Sequence, residues 1–227
     1  MLTAREPDPE RQALDRAVAE AVRARLAAGP HPTPDVEAMA LRRALEGLTP
    51  AEAAAARCVL GRIDSAKGAP LTVWGPASQM LASDRFGLTA RMAATPEAAL
   101  AAARTGGRAL MDLTATSAWW GRLLAEPRLR VVAALPDHGH GLPRALVVQP
   151  ADPAPTGGDR TFWATDSALA DARIVSRLGE AGLAADPLIA AGGLKLFVLA
   201  GYVQADDRRL NGAPGQLSGV IGAAPLF

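Results

Sequence analysis

Apolar positions run in two rhythms along this chain, and the change from one to the other divides it into blocks. The first block, residues 1–68, has helical start signals at Thr33-Pro34 and at Thr49-Pro50, the latter with Glu52 in capping-box position. They frame three predicted helices, roughly Pro9 to Ala28, Pro34 to Glu46 and Pro50 to Ala66. Gly29-Pro30-His31-Pro32 separates the first two, and Gly47 closes the second.

In the second block, residues 70–149, short apolar runs alternate with helical stretches. Leu71 to Trp74, Arg108 to Leu113, Arg130 to Leu135 and Arg144 to Gln149 read as strands. Helices are expected over Pro76 to Arg85, after Thr95-Pro96-Glu97 as far as Gly106-Gly107, and, as a short one, over Trp119 to Leu124. That alternation predicts an α/β layer with some parallel pairing. The Pro/Gly/Asp-rich stretch Pro150 to Asp159 reads as a linker.

The third block, residues 159–227, predicts a strand over Arg160 to Ala164, a helix over Asp171 to Ala181, and strands over Pro187 to Ala191 and Leu194 to Val203. A β-α-β-β order makes a small α+β unit with one helix on an antiparallel sheet. Gly192-Gly193 suits the tight turn between its last two strands. The tail beyond Asn211 is rich in Gly and Pro but apolar at Leu217, Val220 and Ile221, so it is expected to pack, against this chain or a second subunit.

Composition narrows the function classes. With 227 residues, 49% of them hydrophobic, and a formal net charge of +1, the chain can bury one good core or a few small ones. Its 24 basic residues are nearly all arginines and interleave with 23 acids, which argues against a nucleic-acid footprint. The single cysteine, Cys58, permits no internal disulfide and points to a reducing cytoplasm, where it is a small core hydrophobe. The charged start MLTAREPDPE predicts no secretory signal, and the apolar run Leu188 to Val203 is broken by Gly192, Gly193 and Lys195, too short for a membrane span.

Within the first helix, LDRAVAEAVRAR sets Asp15 and Arg25 ten residues apart, close to three turns, so both fall near one face. A buried arginine there needs an anion. This segment, with VEAMALRRALEG from Val36 and RIDSAKGAPLTV from Arg62, resembles the successive helices of the all-helical chorismate mutases. VWGPASQ, ATPEAALAA and RVVAALP are similar to one lobe of a prephenate dehydratase, at about half the family's size. The third block resembles an ACT domain, the ligand-sensing module often attached to that enzyme.

The resemblance implies site residues. The mutase reaction is an intramolecular rearrangement of a dicarboxylate, so its enzyme holds a compact conformer and stabilises charge on the ether oxygen, with no nucleophile and no cofactor. Arg25 matches the arginine of the family's first helix, Glu37 the acid that binds a substrate hydroxyl, and Lys67 the donor to the ether oxygen. Arg11 or Arg5 would replace the N-terminal arginine, whose matching position holds Asp8. The family's central lysine has no counterpart between Arg25 and Glu37, where His31 is the nearest substitute. Bland roles stand beside these: Arg25 as an ion-pair partner of Glu20 or Asp15, and Lys67 as a cation at a helix C-terminus.

Dehydratases carry a Thr-Arg-Phe signature; here the order is Arg160-Thr161-Phe162, which puts threonine and arginine on exchanged faces of a strand. Trp119, Trp120 and Trp163 read as core anchors, and Asp137, His138 and His140 as a solvated turn rather than a metal site. The ACT-like turn is Thr165-Asp166-Ser167, without the family's glycine, and Arg173 and Arg177 read as a solvated helix face. The combined expectation is a cytoplasmic mutase-like protein of phenylalanine synthesis, a homodimer with a small dicarboxylate substrate and phenylalanine as effector, binding neither nucleic acid nor membrane. The alternative is a catalytically silent regulatory protein on the same scaffold.

Overall fold

The computed structural model describes residues 8–30, 33–137 and 141–227. Three helices come first, α1 (Pro9–Ala27), α2 (Pro34–Leu45) and α3 (Pro50–Lys67), each with proline at its start. Asp8 caps α1 by accepting the Glu10 N–H, and Thr49 and Glu52 close the expected capping box on α3. α1 packs against α2 and α3 but buries only Ala21 and Arg25.

The rest is an α/β structure on one nine-stranded sheet. Its elements are β1 (Leu71–Trp74), α4 (Pro76–Phe86), β2 (Arg91–Met92), α5 (Pro96–Arg104), β3 (Arg108–Asp112), a 3-10 helix at Trp119–Leu124, β4 (Leu129–Leu135) and β5 (Ala145–Pro150), then β6 (Asp159–Thr165), α6 (Asp171–Glu180), β7 (Ala185–Ala191), β8 (Leu194–Ala200) and β9 (Ser218–Pro225). Strand order is β2-β1-β3-β5-β4-β9-β6-β8-β7. β1 pairs in parallel with β2 and β3, as alternation predicts; β4 meets β9 in parallel, and the other pairings are antiparallel.

The apolar tail becomes β9, inserted between β4 and β6, so one sheet runs through both blocks. Gly222 makes that seam possible. It faces Val131 on one side and Phe162 on the other, at φ +143°, and a Cβ there would overlap the Val131 backbone. The segment expected as a linker is strapped down: Tyr202 donates to Pro153 O, and Asp159 accepts from Thr156 N–H and Oγ1–H.

Side chains sort by strand alternation. One face of the sheet packs under α5 and the 3-10 helix, around Leu100, Met111, Trp119, Trp120 and Phe162. The other carries α4 over Val73, Leu110 and Val147, and α6 over Trp163, Phe197 and Leu199. All three tryptophans read as core anchors are buried; Trp119 and Trp120 meet edge to face at 6.0 Å, and Trp119 Nε1 donates to Asp112 O. Gly192 and Gly193 take positive φ in the β7–β8 turn.

Candidate functional site

In a parallel α/β layer the usual place for an anion is the carboxyl end of the strands, at a helix N-terminus. Here that place is filled from within. Asp112, at the end of β3, accepts the Ala77 and Ser78 N–H groups of the first turn of α4, and it is only 2% exposed. Gly75 permits this approach, since any Cβ would strike the Asp112 carboxylate. The reversed Arg160-Thr161 pair is equally committed: Thr161 is buried, donating to Gly201 O and accepting from Val203 N–H.

A cleft of about 360 Å³ opens instead between the helices and the sheet. Leu41 of α2, Leu60 of α3, Phe86 of α4 and Val132 and Val147 of the sheet make it apolar, while Glu37, Asp64, Arg85, Arg108 and Asp137 bring charge. Such a volume lies at the lower end of the range of small-molecule pockets.

Two ion-pair systems shape the polar side. Arg85 Nε donates to Asp137 Oδ2 at 3.0 Å, and Arg57 Nε lies 3.6 Å from Oδ1, so two guanidinium groups share one carboxylate. Arg85 also donates through Nη1 to Arg57 O, crossing over Gly61, where a Cβ would collide with it. Nη2 of Arg85 has no hydrogen bond among the described residues. Arg108 pairs with Asp64 and donates to Ala69 O, and Arg85 and Arg108 lie 5.4 and 5.9 Å from the Phe86 ring centre.

Of the residues singled out from sequence, the fold brings Arg25 and Glu37 together. Arg25 is 8% exposed; its Nε donates to Glu37 Oε1 at 2.9 Å, Nη2 to Oε2, and Nη1 to Gly29 O. Glu37 lines the cleft, and Arg25 stands behind it, paired with Glu37 rather than with Glu20 or Asp15. Lys67, at the last turn of α3, and Arg11, in the first turns of α1, are exposed and outside the cleft lining. Arg5, His31, His138 and His140 lie outside the described residues.

Arg57 and Arg85 carry no sequence signal for this role. Each sits on a helix in an ordinary polar position, and only the α3–α4 packing turns both toward Asp137. Elsewhere, the Thr165-Asp166-Ser167 turn spends its acid internally, Asp166 accepting the Gln216 and Leu217 N–H groups. No group of three metal-ligating side chains occurs among the described residues, and none of their helices is long and apolar enough to cross a membrane.

No known family's sequence pattern matches the chain, and no curated protein matches it. Two solved structures align with it. One, described as GqqA, a novel type of quorum quenching acylases, is 18% identical with a TM-score of 0.48, over 69% of this chain and 95% of its own. The other, prephenate dehydratase from Streptococcus mutans, is 13% identical with a TM-score of 0.39, over 70% of this chain and 100% of its own.

Proposed function

We propose that this chain is a metabolite-binding protein of aromatic amino-acid synthesis, taking a hydroxylated ring carboxylate of the chorismate and prephenate class in the cleft between α2, α3, α4 and the sheet. One observation carries this reading: Arg85, at the wall of a cleft of about 360 Å³, is held together with Arg57 on the single carboxylate of Asp137 and keeps its Nη2 donors to spare. A ligand carboxylate completes that coordination, because guanidinium and carboxylate match in two-point geometry. The ligand's hydroxyl reaches Glu37 or Asp64 across the cleft, and its ring lies on Phe86, Val132 and Val147. Closure of Arg25 on Glu37 favours binding over turnover, since the arginine implied for catalysis already has its anion.

Chorismate mutase activity is the second reading, and Glu37 favours it by presenting to the cleft the acid that the resemblance assigns to a substrate hydroxyl. The family builds its sites from helices of two subunits, so this reading carries a homodimer, with Arg25 of one copy released to substrate and Lys67 and Arg11 brought to the site by assembly. It implies no cofactor.

Calorimetric titration with chorismate, prephenate and phenylalanine, alongside a chorismate turnover assay, tests both. Saturable binding of chorismate or prephenate without conversion, weakened about tenfold or more by Arg85→Gln and Arg57→Gln, supports the binding reading. Conversion that Arg25→Ala abolishes in a folded chain establishes the mutase. Thermal stabilisation by phenylalanine alone would make the chain a sensor of that amino acid. Absence of all three overturns the assignment.

A further inference from the structure

Arg160 is the most deeply buried guanidinium on the sheet, at 5% exposure, and the cleft described above makes no direct use of it. Its Nη2 donates to Pro136 O at 3.2 Å and its Nη1 to Gly141 O at 3.3 Å. Pro136 is the residue directly before Asp137, and Gly141 lies four positions after it. Nε of Arg160 is buried with no partner among the described residues, so the side chain sits in this place at a real cost. Burial pushes its pKa below the usual guanidinium value, and the charge of Asp137 opposes that shift. A neutral residue of the same shape would avoid the cost; what it could not do is span two carbonyls with a rigid fork.

We propose that Arg160 is a positioning residue for the cleft: by tying Pro136 to Gly141 it holds the Asp137 carboxylate against Arg57 and Arg85 and so aims the remaining donors of Arg85 at the ligand. The far end of Asp137 is held independently, because its carbonyl accepts the Phe227 N–H at 3.1 Å. Arg160 therefore acts through Asp137 and never touches the ligand. Lysine in its place supplies a charge but a single ammonium point, which cannot reproduce the two-carbonyl span. The ligand part of this inference rests on the binding reading above; the link from Arg160 to Arg85 does not.

The experiment therefore has two arms on the full chain. In the first, exchange of the Arg85 Nε–H with water is followed by NMR without ligand in the wild type, Arg160→Lys, Arg160→Gln, Asp137→Asn and the Arg160→Gln/Asp137→Asn double variant. Slow exchange is expected in the wild type and fast exchange in all four variants, with the double variant matching Asp137→Asn alone. In the second, chorismate affinity is expected to fall about fivefold in both Arg160 variants, the effect of one misplaced charged hydrogen bond. Protection of Arg85 that survives in the Arg160 variants overturns the proposal, and so does a double variant whose exchange exceeds that of Asp137→Asn. If Arg160→Gln does not fold, Arg160→Lys gives the same two readouts. Failure of chorismate to bind the wild type counts against the binding reading, while the first arm still decides the role of Arg160.

Discussion

Arg25 on α1 grips Glu37 on α2 through two guanidinium nitrogens, and its third holds Gly29 O at the turn between those helices. One side chain thus ties α1 both to the residue just beyond its end and to α2, and neutralises an acid at the cleft. Removing it leaves Glu37 and Gly29 O without their donors. Arg25→Ala is expected to lower stability by about 1–3 kcal/mol in denaturant unfolding. A change below a few tenths would mean that the pair contributes nothing to stability.

Gly61 sets how closely α3 approaches α4. A methyl group there meets Arg85 at both its carbonyl and its guanidinium, so Gly61→Ala must push the helices apart or expel the side chain. Overpacking of this kind costs about 1–3 kcal/mol. Chorismate affinity should fall together with thermal stability; unchanged affinity would remove Arg85 from the binding site.

Gly222 joins the two halves of the sheet, and the irregularities of register at Val131/Ala133 and at Phe162/Trp163 flank it. Its φ of +143° and the adjoining Val131 backbone both exclude a Cβ. Gly222→Ala is expected to destabilise by about 3 kcal/mol or more, among the large effects of single substitutions. Hydrogen exchange should show β9 opening first, with α5 and β3 still protected.

Arg104 and Glu126 form a forked pair, with both hydrogen bonds at 2.6 Å. The Arg104 hydrogen bond holds the Glu126 carboxyl below its usual 4.5, with burial opposing. A carboxyl whose folded pKa is depressed adds stability above its unfolded pKa and loses it as pH falls through the folded value. Glu126→Gln should therefore cost about 0.5–1 kcal/mol near neutral pH and almost nothing near pH 2, measured by urea unfolding at each pH.

Local sequence determined the three N-terminal helices and the strand–helix alternation of the middle block. Proline at a first helical turn, the Thr49–Glu52 box and glycine after a helix act within a few residues, so their effects survive removal from the fold. The strand–helix–strand–strand order of the third block was legible in the same way. The apposition of Arg25 and Glu37 was not legible: the sequence offered Glu20 or Asp15 as partners of Arg25, and only the packing of α1 on α2 brings Glu37 to it. Tertiary structure decided where the tail and the cleft charges go. β9 has weak strand propensity, Ser-Gly-Val-Ile-Gly-Ala-Ala-Pro, and becomes a strand because β4 and β6 present it with two free edges. Asp112, Arg57, Arg85, Asp137 and Arg160 are scattered over more than a hundred positions, and none stands in a recognisable spacing. Whether a charge serves a ligand, a helix terminus or another side chain depends on which groups packing brings within about 3 Å, and that distance is a property of the folded chain.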